Sequence, residues 1–153
     1  NSTELKNVVI FNSVQVPHYN YVGDSILGYK SHMGAGSITS NVKSDKTLVV
    51  VKDHDEKIET GLKKFGAMLG DYVEVGCNSV LNPGTVIGSH TNVYPLSSVR
   101  GVVPANSIYK NRSEVVEKRD RDNEEKMGAG NASCRNADFD RMRRKEQFTC
   151  GER

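Results

Sequence analysis

Four side chains near the start of the chain could bind and activate a phosphorylated ligand. Imidazole is the side chain that most often exchanges protons near neutral pH, so His18 could act as a general base. Lys6 and Lys46 could hold a phosphate group as point charges. Asn41 offers both a donor and an acceptor to a polar ligand. These residue types are compatible with base-assisted chemistry on a phosphorylated compound.

Each candidate also has a structural explanation when it is considered alone. A single histidine on a protein surface is usually just solvated, and Lys46 lies in a charged stretch. Tyr21 could simply pack against its neighbours. The run Gly34-Ala35-Gly36 is more often a tight corner than a cradle for a ligand. The chemistry therefore depends on the elements that position these residues.

Those elements are indicated by a period of six residues. A six-residue period fits neither a helix nor an alternating strand, and it predicts a solenoid of short strands and tight turns, the parallel β-helix. In three of the hexads a glycine follows the aliphatic residue, which would relieve crowding at the corners. The repeated aliphatic residues are Leu69, Val75, Leu81, Ile87, Val93 and Val99.

Three hexads make one coil of triangular section, so residues eighteen apart should stack. Leu69 is then expected under Ile87, and burial of one such side chain stabilises the fold by roughly 1.5–3 kcal/mol. Each coil contacts only its neighbours, so a solenoid this short is marginal by itself. We therefore expect oligomerisation, and the flat faces of a triangular prism suit threefold packing.

The hexads divide the chain into zones. Residues 1–110 are predicted to form the β-helix, with a polar insertion at about 42–66 that leaves the solenoid as a loop or strand pair. Within the insertion, the apolar run from Leu48 to Val51 predicts a strand. A step of five residues interrupts the earlier hexads, which are Ile10, Val16 and Val22, then Leu27, Met33 and Thr39.

Residues 111–153 have a different composition. Of these 43 positions, 21 are Lys, Arg, Asp or Glu, and the hexads are absent. This composition predicts a charged tail that is disordered or forms a short helix near Glu114 to Lys126. We interpret the basic cluster Arg141, Arg143, Arg144 and Lys145 as part of a solvated tail.

Composition narrows the class of protein. A net charge of +2 argues against a nucleic-acid partner, and no apolar run is long enough to cross a membrane. The three cysteines, Cys77, Cys134 and Cys150, lack metal-binding spacing, which favours reduced thiols and a cytoplasmic location. No leader is visible. The chain begins with Asn1, so we expect it to be a piece of a longer protein.

Four segments together carry a family resemblance that covers roughly residues 4–110. The chain resembles the acetyltransferase half of bifunctional sugar-1-phosphate nucleotidyltransferase/acetyltransferases, which act in UDP-N-acetylglucosamine biosynthesis, and it resembles their archaeal-type branch most. The most specific signal is the spacing of the histidine in the first segment from the second segment and from Asn41. The segments are Val16-Pro17-His18-Tyr19-Asn20-Tyr21-Val22-Gly23-Asp24, Gly34-Ala35-Gly36-Ser37-Ile38-Thr39, Thr60-Gly61-Leu62-Lys63-Lys64-Phe65-Gly66-Ala67 and Leu81-Asn82-Pro83-Gly84.

The resemblance implies an all-β fold, a left-handed parallel β-helix of hexapeptide repeats that assembles as a homotrimer with sites between subunits. It implies acetyl-CoA as donor, an amino-sugar 1-phosphate as acceptor, and no metal. By position His18 matches the catalytic base, and Asn41 matches an asparagine of the acetyl-transfer site. Asn41 or a backbone N–H would stabilise the oxyanion. Three further residues, Tyr21, Lys6 and Lys46, match substrate-binding positions, and two, Ala35 and Cys77, match positions that meet acetyl-CoA.

The chain also departs from the family pattern. His32 stands where the bacterial relatives have asparagine, and a second imidazole near His18 could change acceptor preference. The upstream arginine and the nucleotidyltransferase domain of those relatives have no match in the chain. Two alternatives remain open. The solenoid could be a non-catalytic oligomerisation or regulatory domain of a nucleotidyltransferase. It could also be a metal-dependent hydratase of the same fold, which needs three converging histidines.

Overall fold

The computed structural model describes residues 2–118, which form a parallel β-helix of short strands, as the hexads predict. The strands are β1 (Glu4–Ile10), β2 (Tyr21–Leu27), β3 (His32–Met33), β4 (Ile38–Thr39), β5 (Val50–Asp53), β6 (Glu56–Glu59), β7 (Ala67–Leu69), β8 (Glu74–Val75), β9 (Val80–Leu81), β10 (Thr85–Ile87), β11 (Asn92–Val93), β12 (Ser98–Val99), β13 (Val102–Val103), β14 (Ser107–Asn111) and β15 (Glu114–Glu117).

The coils stack into a prism with three faces. Face 1 contains the end of β2 followed by β7, β10 and β13. Face 2 contains β3, β8, β11 and β14, and face 3 contains the start of β2 followed by β4, β9 and β12. All of these pairs are parallel, which a solenoid requires. β2 runs from face 3 to face 1, and β1 pairs with it along its whole length.

The inward side chains form the predicted ladders. Leu69 pairs with Ile87 on face 1, and Val75 with Val93 on face 2. The ladder of face 3 passes from Leu81 to Val99, all of these side chains being buried. Each stacked aliphatic contributes to a continuous apolar core, since each is removed from water by the coils on both sides.

A column of residues with left-handed backbone runs along each edge of the prism. The first edge lies between faces 1 and 2, the second between faces 2 and 3, and the third between faces 3 and 1. Non-glycine residues rarely adopt positive φ, so these corners are conformationally costly. The columns are Ser13, Lys30, Tyr72, His90 and Asn106 on the first edge, Tyr19, Gly36, Asn78 and Leu96 on the second, and Asn7, Asp24, Gly84 and Gly101 on the third.

The glycines that follow an aliphatic residue, Gly70, Gly76 and Gly88, are not needed for a left-handed backbone but for close packing between coils. Gly76 has a negative φ, and a Cβ built on it would lie 2.4 Å from the backbone nitrogen of Pro95 in the next coil. A Cβ on Gly88 would likewise lie 2.4 Å, and one on Gly70 2.7 Å, from a backbone nitrogen of the next coil. Crowding therefore does select glycine here, as predicted, and its source is the backbone of the coil above.

All variation in coil length is confined to the third edge. Across the first and second edges every step between inward residues is six residues. Across the third edge the steps are five residues from Val22 to Leu27, thirty from Thr39 to Leu69, six from Leu81 to Ile87 and four from Val99 to Val103.

A buried polar network lies beneath the third edge, where the insertion leaves and rejoins the solenoid. The Thr39 hydroxyl accepts a hydrogen bond from the backbone N–H of Gly23 at 2.9 Å. The Ser25 hydroxyl donates to the carbonyl of Gly23 at 2.7 Å and accepts from the N–H of Ala67 at 3.0 Å. Thr39 and Ser25 are 0 and 3% exposed. The network joins both ends of the insertion to the corner at Gly23.

The insertion contains an antiparallel hairpin of β5 and β6, so the strand pair expected in this segment is present. The observed strand begins at Val50, two residues later than predicted, while Val49 is fully buried. The hairpin follows the third edge, because a Cβ at Gly84 would meet the carbonyl of Val50 and one at Gly101 would meet that of Lys52.

The last described residues form a cap. β15 pairs antiparallel with β14, so a strand occupies 114–117, where sequence analysis expects a disordered tail or a short helix. The helix prediction is wrong for these four residues because the chain reverses at 112–113 and continues the sheet. Buried Tyr109 closes the face 2 ladder above Val93. The rest of the predicted tail, including its basic cluster, Cys134 and Cys150, lies outside the described residues.

Face 1 carries an uninterrupted apolar stripe on its outer side. Strand alternation points these residues away from the core, and the register aligns them from coil to coil. Val9 and Ile26 are 54 and 40% exposed. The aligned residues are Val9, Ile26, Met68, Val86 and Val102.

Within residues 2–118 the chain forms no helix that is long and apolar enough to cross a membrane.

Candidate active site

The second edge brings three of the predicted site residues into one column. The N–H of Gly36 donates to the carbonyl of His18 at 2.9 Å, and that of Asn78 donates to the carbonyl of Ala35 at 2.8 Å. Cys77 receives the next such bond, from the N–H of Leu96 at 2.9 Å. His18, Ala35 and Cys77 therefore occupy the same corner in successive coils. At about 4.8 Å per coil, the column from His18 to Cys77 spans about 10 Å.

The side chains on this column are open to solvent. His18 and Cys77 are exposed, and the Cys77 thiol is free. The backbone of the His18 corner is fixed from inside, because the N–H of His18 donates to the side-chain oxygen of buried Asn20 at 2.9 Å. Asn20 in turn donates to the carbonyls of Gly34 and Ser37. An exposed imidazole on a rigid corner can reach an external ligand.

A basic cavity lies at the upper end of the second edge. It has a volume of about 330 Å³, and it is lined by Leu96 of the edge column and by Arg100, Lys110 and Arg112. Tyr109 also lines it, and burial raises the pKa of its hydroxyl, an effect that the charge of Arg112 partly offsets. Lys110 is paired with Glu114, so Arg100 and Arg112 are the residues that would attract an anion, such as a phosphate, to this cavity.

The third edge assembles a second group of predicted residues. Asn41 donates from Nδ2 to the Tyr21 hydroxyl at 3.3 Å and to Asp24 Oδ2 at 2.5 Å. Asn7 donates to Asp24 Oδ1 at 3.3 Å. These four residues, Asn7, Tyr21, Asp24 and Asn41, are called the third-edge cluster below.

Gly23 makes room for the third-edge cluster. A Cβ on Gly23 would lie 2.5 Å from the Tyr21 hydroxyl and 2.9 Å from Asn41 Nδ2. Any larger residue would displace both side chains. The sequence run that ends in Gly23-Asp24 therefore has a geometric reason, since glycine admits the tyrosine ring and the aspartate receives the asparagine.

The two lysines differ in their relation to the cluster. Lys6 lies on β1 in register with Gly23, beside Asn7, so its backbone is at the third-edge cluster. Lys46 lies in the insertion and is exposed, and within residues 2–118 its side chain forms no hydrogen bond with the cluster. Next to Lys46, the Asp45 carboxyl accepts hydrogen bonds from Thr47, and these lower its pKa, the bond from the backbone N–H more than the bond from the hydroxyl. The structure thus brings Lys6, but not Lys46, to the predicted site.

The two edges are separated within one chain. Face 3 lies between them, and Tyr19 and Asp24 mark its limits. Five residues of extended chain span about 16 Å. His18 on the second edge and Asn41 on the third therefore cannot flank the same carbonyl group in a single chain.

The other histidines lie elsewhere on the solenoid. His32, which departs from the family pattern, is on face 2, where its Nδ1 is 2.9 Å from Glu74 Oε2. His90 stacks on the ring of Tyr72 on the first edge, with ring centroids 4.8 Å apart. His54 lies in the hairpin turn. Over residues 2–118 no group of three His, Cys, Asp or Glu side chains has the geometry of a metal site.

Sequence reasoning missed three features of this region. Asp24 was seen only as part of a motif, Thr39 only as a ladder residue, and the basic residues around the cavity were not singled out. A signal for Asp24 exists, because an aspartate replaces the glycine that two later coils use at the same corner. No sequence signal identifies the cavity, since its residues come from three different strands and turns.

Comparison with known proteins gives a consistent set of relatives. No family model matches the chain. The chain is 33% identical over 116 residues to the bifunctional protein GlmU of Methanococcus aeolicus, covering 76% of this chain and 28% of that protein. It is 34% identical over 109 residues to a bifunctional sugar-1-phosphate nucleotidylyltransferase/acetyltransferase of Sulfurisphaera tokodaii, covering 71% and 27%. The chain therefore spans little more than a quarter of the length of these relatives.

Solved structures agree on the fold. The serine acetyltransferase of Neisseria gonorrhoeae superimposes with a TM-score of 0.52 at 15% identity, over 86% of this chain and 44% of that one. The polysialic acid O-acetyltransferase OatWY gives a TM-score of 0.50 at 13% identity, over 76% and 61%. At this identity the likeness concerns the fold alone, and the fold is the left-handed β-helix of hexapeptide repeats.

Proposed function

Because this chain is a homologue of the C-terminal left-handed β-helix domain of bifunctional sugar-1-phosphate nucleotidyltransferase/acetyltransferases, we propose that it transfers an acetyl group from acetyl-CoA to the amine of an amino-sugar 1-phosphate. The acceptor is of the glucosamine-1-phosphate type, and the chain is part of a sugar nucleotidyltransferase. The single observation that carries this proposal is the second-edge column, which aligns His18 with Ala35 and Cys77.

In this mechanism the donor lies along the second edge. The thioester sits beside His18, the arm of the coenzyme passes Ala35 and Cys77, and its phosphates approach the basic cavity near Arg100 and Arg112. The amine nitrogen attacks the thioester carbonyl carbon, His18 removes a proton from that nitrogen, and the thiol of coenzyme A leaves. The new bond is an amide, and the proton taken by His18 is returned to the leaving sulfur.

The oxyanion is stabilised by backbone N–H groups. Sequence analysis left open whether the Asn41 amide does this, but Nδ2 of Asn41 already donates to Asp24 and Tyr21. The acceptor is held at the third-edge cluster, where Tyr21 contacts the sugar and Lys6 its phosphate. Lys46 matches a phosphate-binding position by sequence alone, and because its exposed side chain does not reach the cluster in a single chain, the phosphate is assigned here to Lys6. Holding both substrates in this way turns an encounter into an oriented reaction.

A homotrimer completes the site. In a single chain the second and third edges are about 16 Å apart, so one chain's His18 meets its neighbour's Asn41 only if two prisms pack side by side. The apolar stripe on face 1 supports such packing, because five aligned apolar residues on an otherwise exposed face are stabilised by burial against another surface.

The test is acetyl transfer by the chain itself. Purified protein is incubated with acetyl-CoA and a series of amino-sugar 1-phosphates, and thiol release and product mass are measured. We expect His18→Ala to lower kcat by at least about a hundredfold, the contribution of a general base, without changing the oligomeric state. His54→Asn, in the exposed hairpin turn, is the matched control. Near-normal transfer by His18→Ala would exclude His18 as the base. A trimer without activity towards any acceptor would favour the non-catalytic alternative.

A further inference from the structure

Asp24 carries a carboxylate that its corner does not require. It occupies the third edge with φ of 48°, and the same corner in later coils is Gly84 or Gly101, with φ of 80° and 77°. Glycine adopts this conformation without strain, whereas aspartate tolerates it at some cost. The fold alone would therefore be served at least as well by glycine, and the carboxylate of Asp24 needs another explanation.

The contacts of Asp24 determine how the Asn41 side chain is oriented. A carboxylate only accepts hydrogen bonds, so the group of Asn41 that lies 2.5 Å from Asp24 Oδ2 must be the NH₂. The reverse orientation would place two oxygens against each other. The same nitrogen donates to the Tyr21 hydroxyl, 3.3 Å away. Both amide hydrogens of Asn41 are thus directed at the cluster.

We propose that Asp24 is a positioning residue, which fixes the Asn41 amide so that its carbonyl oxygen, and not its NH₂, is presented to the acceptor. The site then accepts a hydrogen bond from an N–H or O–H group of the sugar at this point. This inference rests on the proposed function and deepens it. Asn7 completes the arrangement, because its own amide donates to the second oxygen of Asp24 and so limits rotation of the carboxylate.

The proposal distinguishes acceptors by chemistry. A sugar with an amine or hydroxyl hydrogen at the contacted position is bound, and an analogue that carries only an ether oxygen there is rejected, since two acceptor oxygens would face each other. Without Asp24 the Asn41 amide can turn over and donate instead. The selectivity between the two kinds of ligand is then lost, while the backbone of the corner is unchanged.

The experiment compares Asp24→Gly, Asn41→Ala and the double variant in the full chain. Asp24→Gly keeps the left-handed corner, and Asn106→Gly is the matched control at a first-edge corner of the same conformation. We expect Asp24→Gly to lower kcat/KM for the acceptor about tenfold, the effect of one charge-assisted hydrogen bond, with KM for acetyl-CoA unchanged. Because Asp24 acts through Asn41, the double variant should be no worse than Asn41→Ala.

A second measurement does not depend on activity. The side-chain NH₂ resonances of Asn41, assigned by their loss in Asn41→Ala, should exchange slowly with water in the wild type and faster in Asp24→Gly. Asp24→Asn, which keeps the size of the residue but can itself donate, should give an intermediate result and serves if Asp24→Gly fails to fold. Equal exchange in wild type and variants would overturn the proposal, as would wild-type kinetics of Asp24→Gly or additive losses in the double variant. Inactivity of the wild type towards every acceptor would refute the proposed function and leave the exchange test intact.

Discussion

Thr39→Val is expected to destabilise the protein although it places an aliphatic residue in an aliphatic ladder. Thr39 stacks between Val22 and Leu81 and is completely buried. Replacing its hydroxyl by a methyl group gains about 0.8 kcal/mol of apolar burial. The same change leaves the buried N–H of Gly23 without its acceptor, which costs about 1–3 kcal/mol. The second effect is larger, so we expect a net loss of about 1 kcal/mol in the free energy of unfolding.

Ser31→Ala provides a matched comparison with the opposite expectation. Ser31 is also completely buried, but its hydroxyl has no hydrogen-bond partner among the described residues. An unpaired buried hydroxyl carries a desolvation cost of about 1–3 kcal/mol, which alanine removes at the expense of one atom of packing. We therefore expect the free energy of unfolding to stay the same or rise by about 1 kcal/mol.

Urea denaturation followed by circular dichroism measures both changes. Protein concentration is held constant, because association contributes to the stability of an oligomer. A lower midpoint with an unchanged slope for Thr39→Val, and an equal or higher midpoint for Ser31→Ala, would support the argument. If both variants lost stability equally, hydroxyl pairing could not explain the difference between the two sites, and the importance assigned to the network beneath the third edge would be wrong.

Two further predictions concern the stacking of coils and the association of subunits. Gly76→Ala should destabilise the solenoid by about 1–3 kcal/mol in thermal or urea unfolding, because its Cβ would overlap the backbone at Pro95. Gly61→Asn is the control, because its Cβ meets nothing within 4 Å and asparagine tolerates the φ of 69° at a small cost, so it should destabilise the protein less than Gly76→Ala does. Val86→Lys on the apolar stripe should shift the protein from the proposed trimer to a monomer in analytical ultracentrifugation. An unchanged sedimentation coefficient in Val86→Lys would exclude face 1 from the interface.

The architecture could be predicted from the sequence because the six-residue period is formed by aliphatic side chains that must be buried. The ladder pairs Leu69 with Ile87 and Val75 with Val93 follow directly from the eighteen-residue coil. The strand β15 that ends the solenoid could not be predicted in the same way. Strand β15 has charged residues at both ends and no hexad, because it pairs antiparallel at the edge of a sheet and lacks an inward ladder position.

The site was only partly accessible. Cys77 follows Ala35 by forty-two residues, so the insertion conceals that both occupy one corner, and only the stacking of coils on either side of it reveals the column. The hydrogen bonds of Asn41 could not be foreseen, since they depend on a glycine that admits a tyrosine ring and on the left-handed turn of an aspartate. Lys46 was predicted from its charge and from its match to a family position, and neither observation indicates where a loop directs the side chain.

Because only the third edge varies in length, it is the place where this fold can change its sequence length without disturbing the stacked coils. At the first and second edges the number of residues between inward side chains is always six, and this constant step keeps the coils in register. The third edge, in contrast, can accept inserted or deleted segments, because the stacked ladders of the three faces keep their register when its length changes. A change in length at the third edge would therefore alter the proposed acceptor site and leave the proposed donor column on the second edge unchanged.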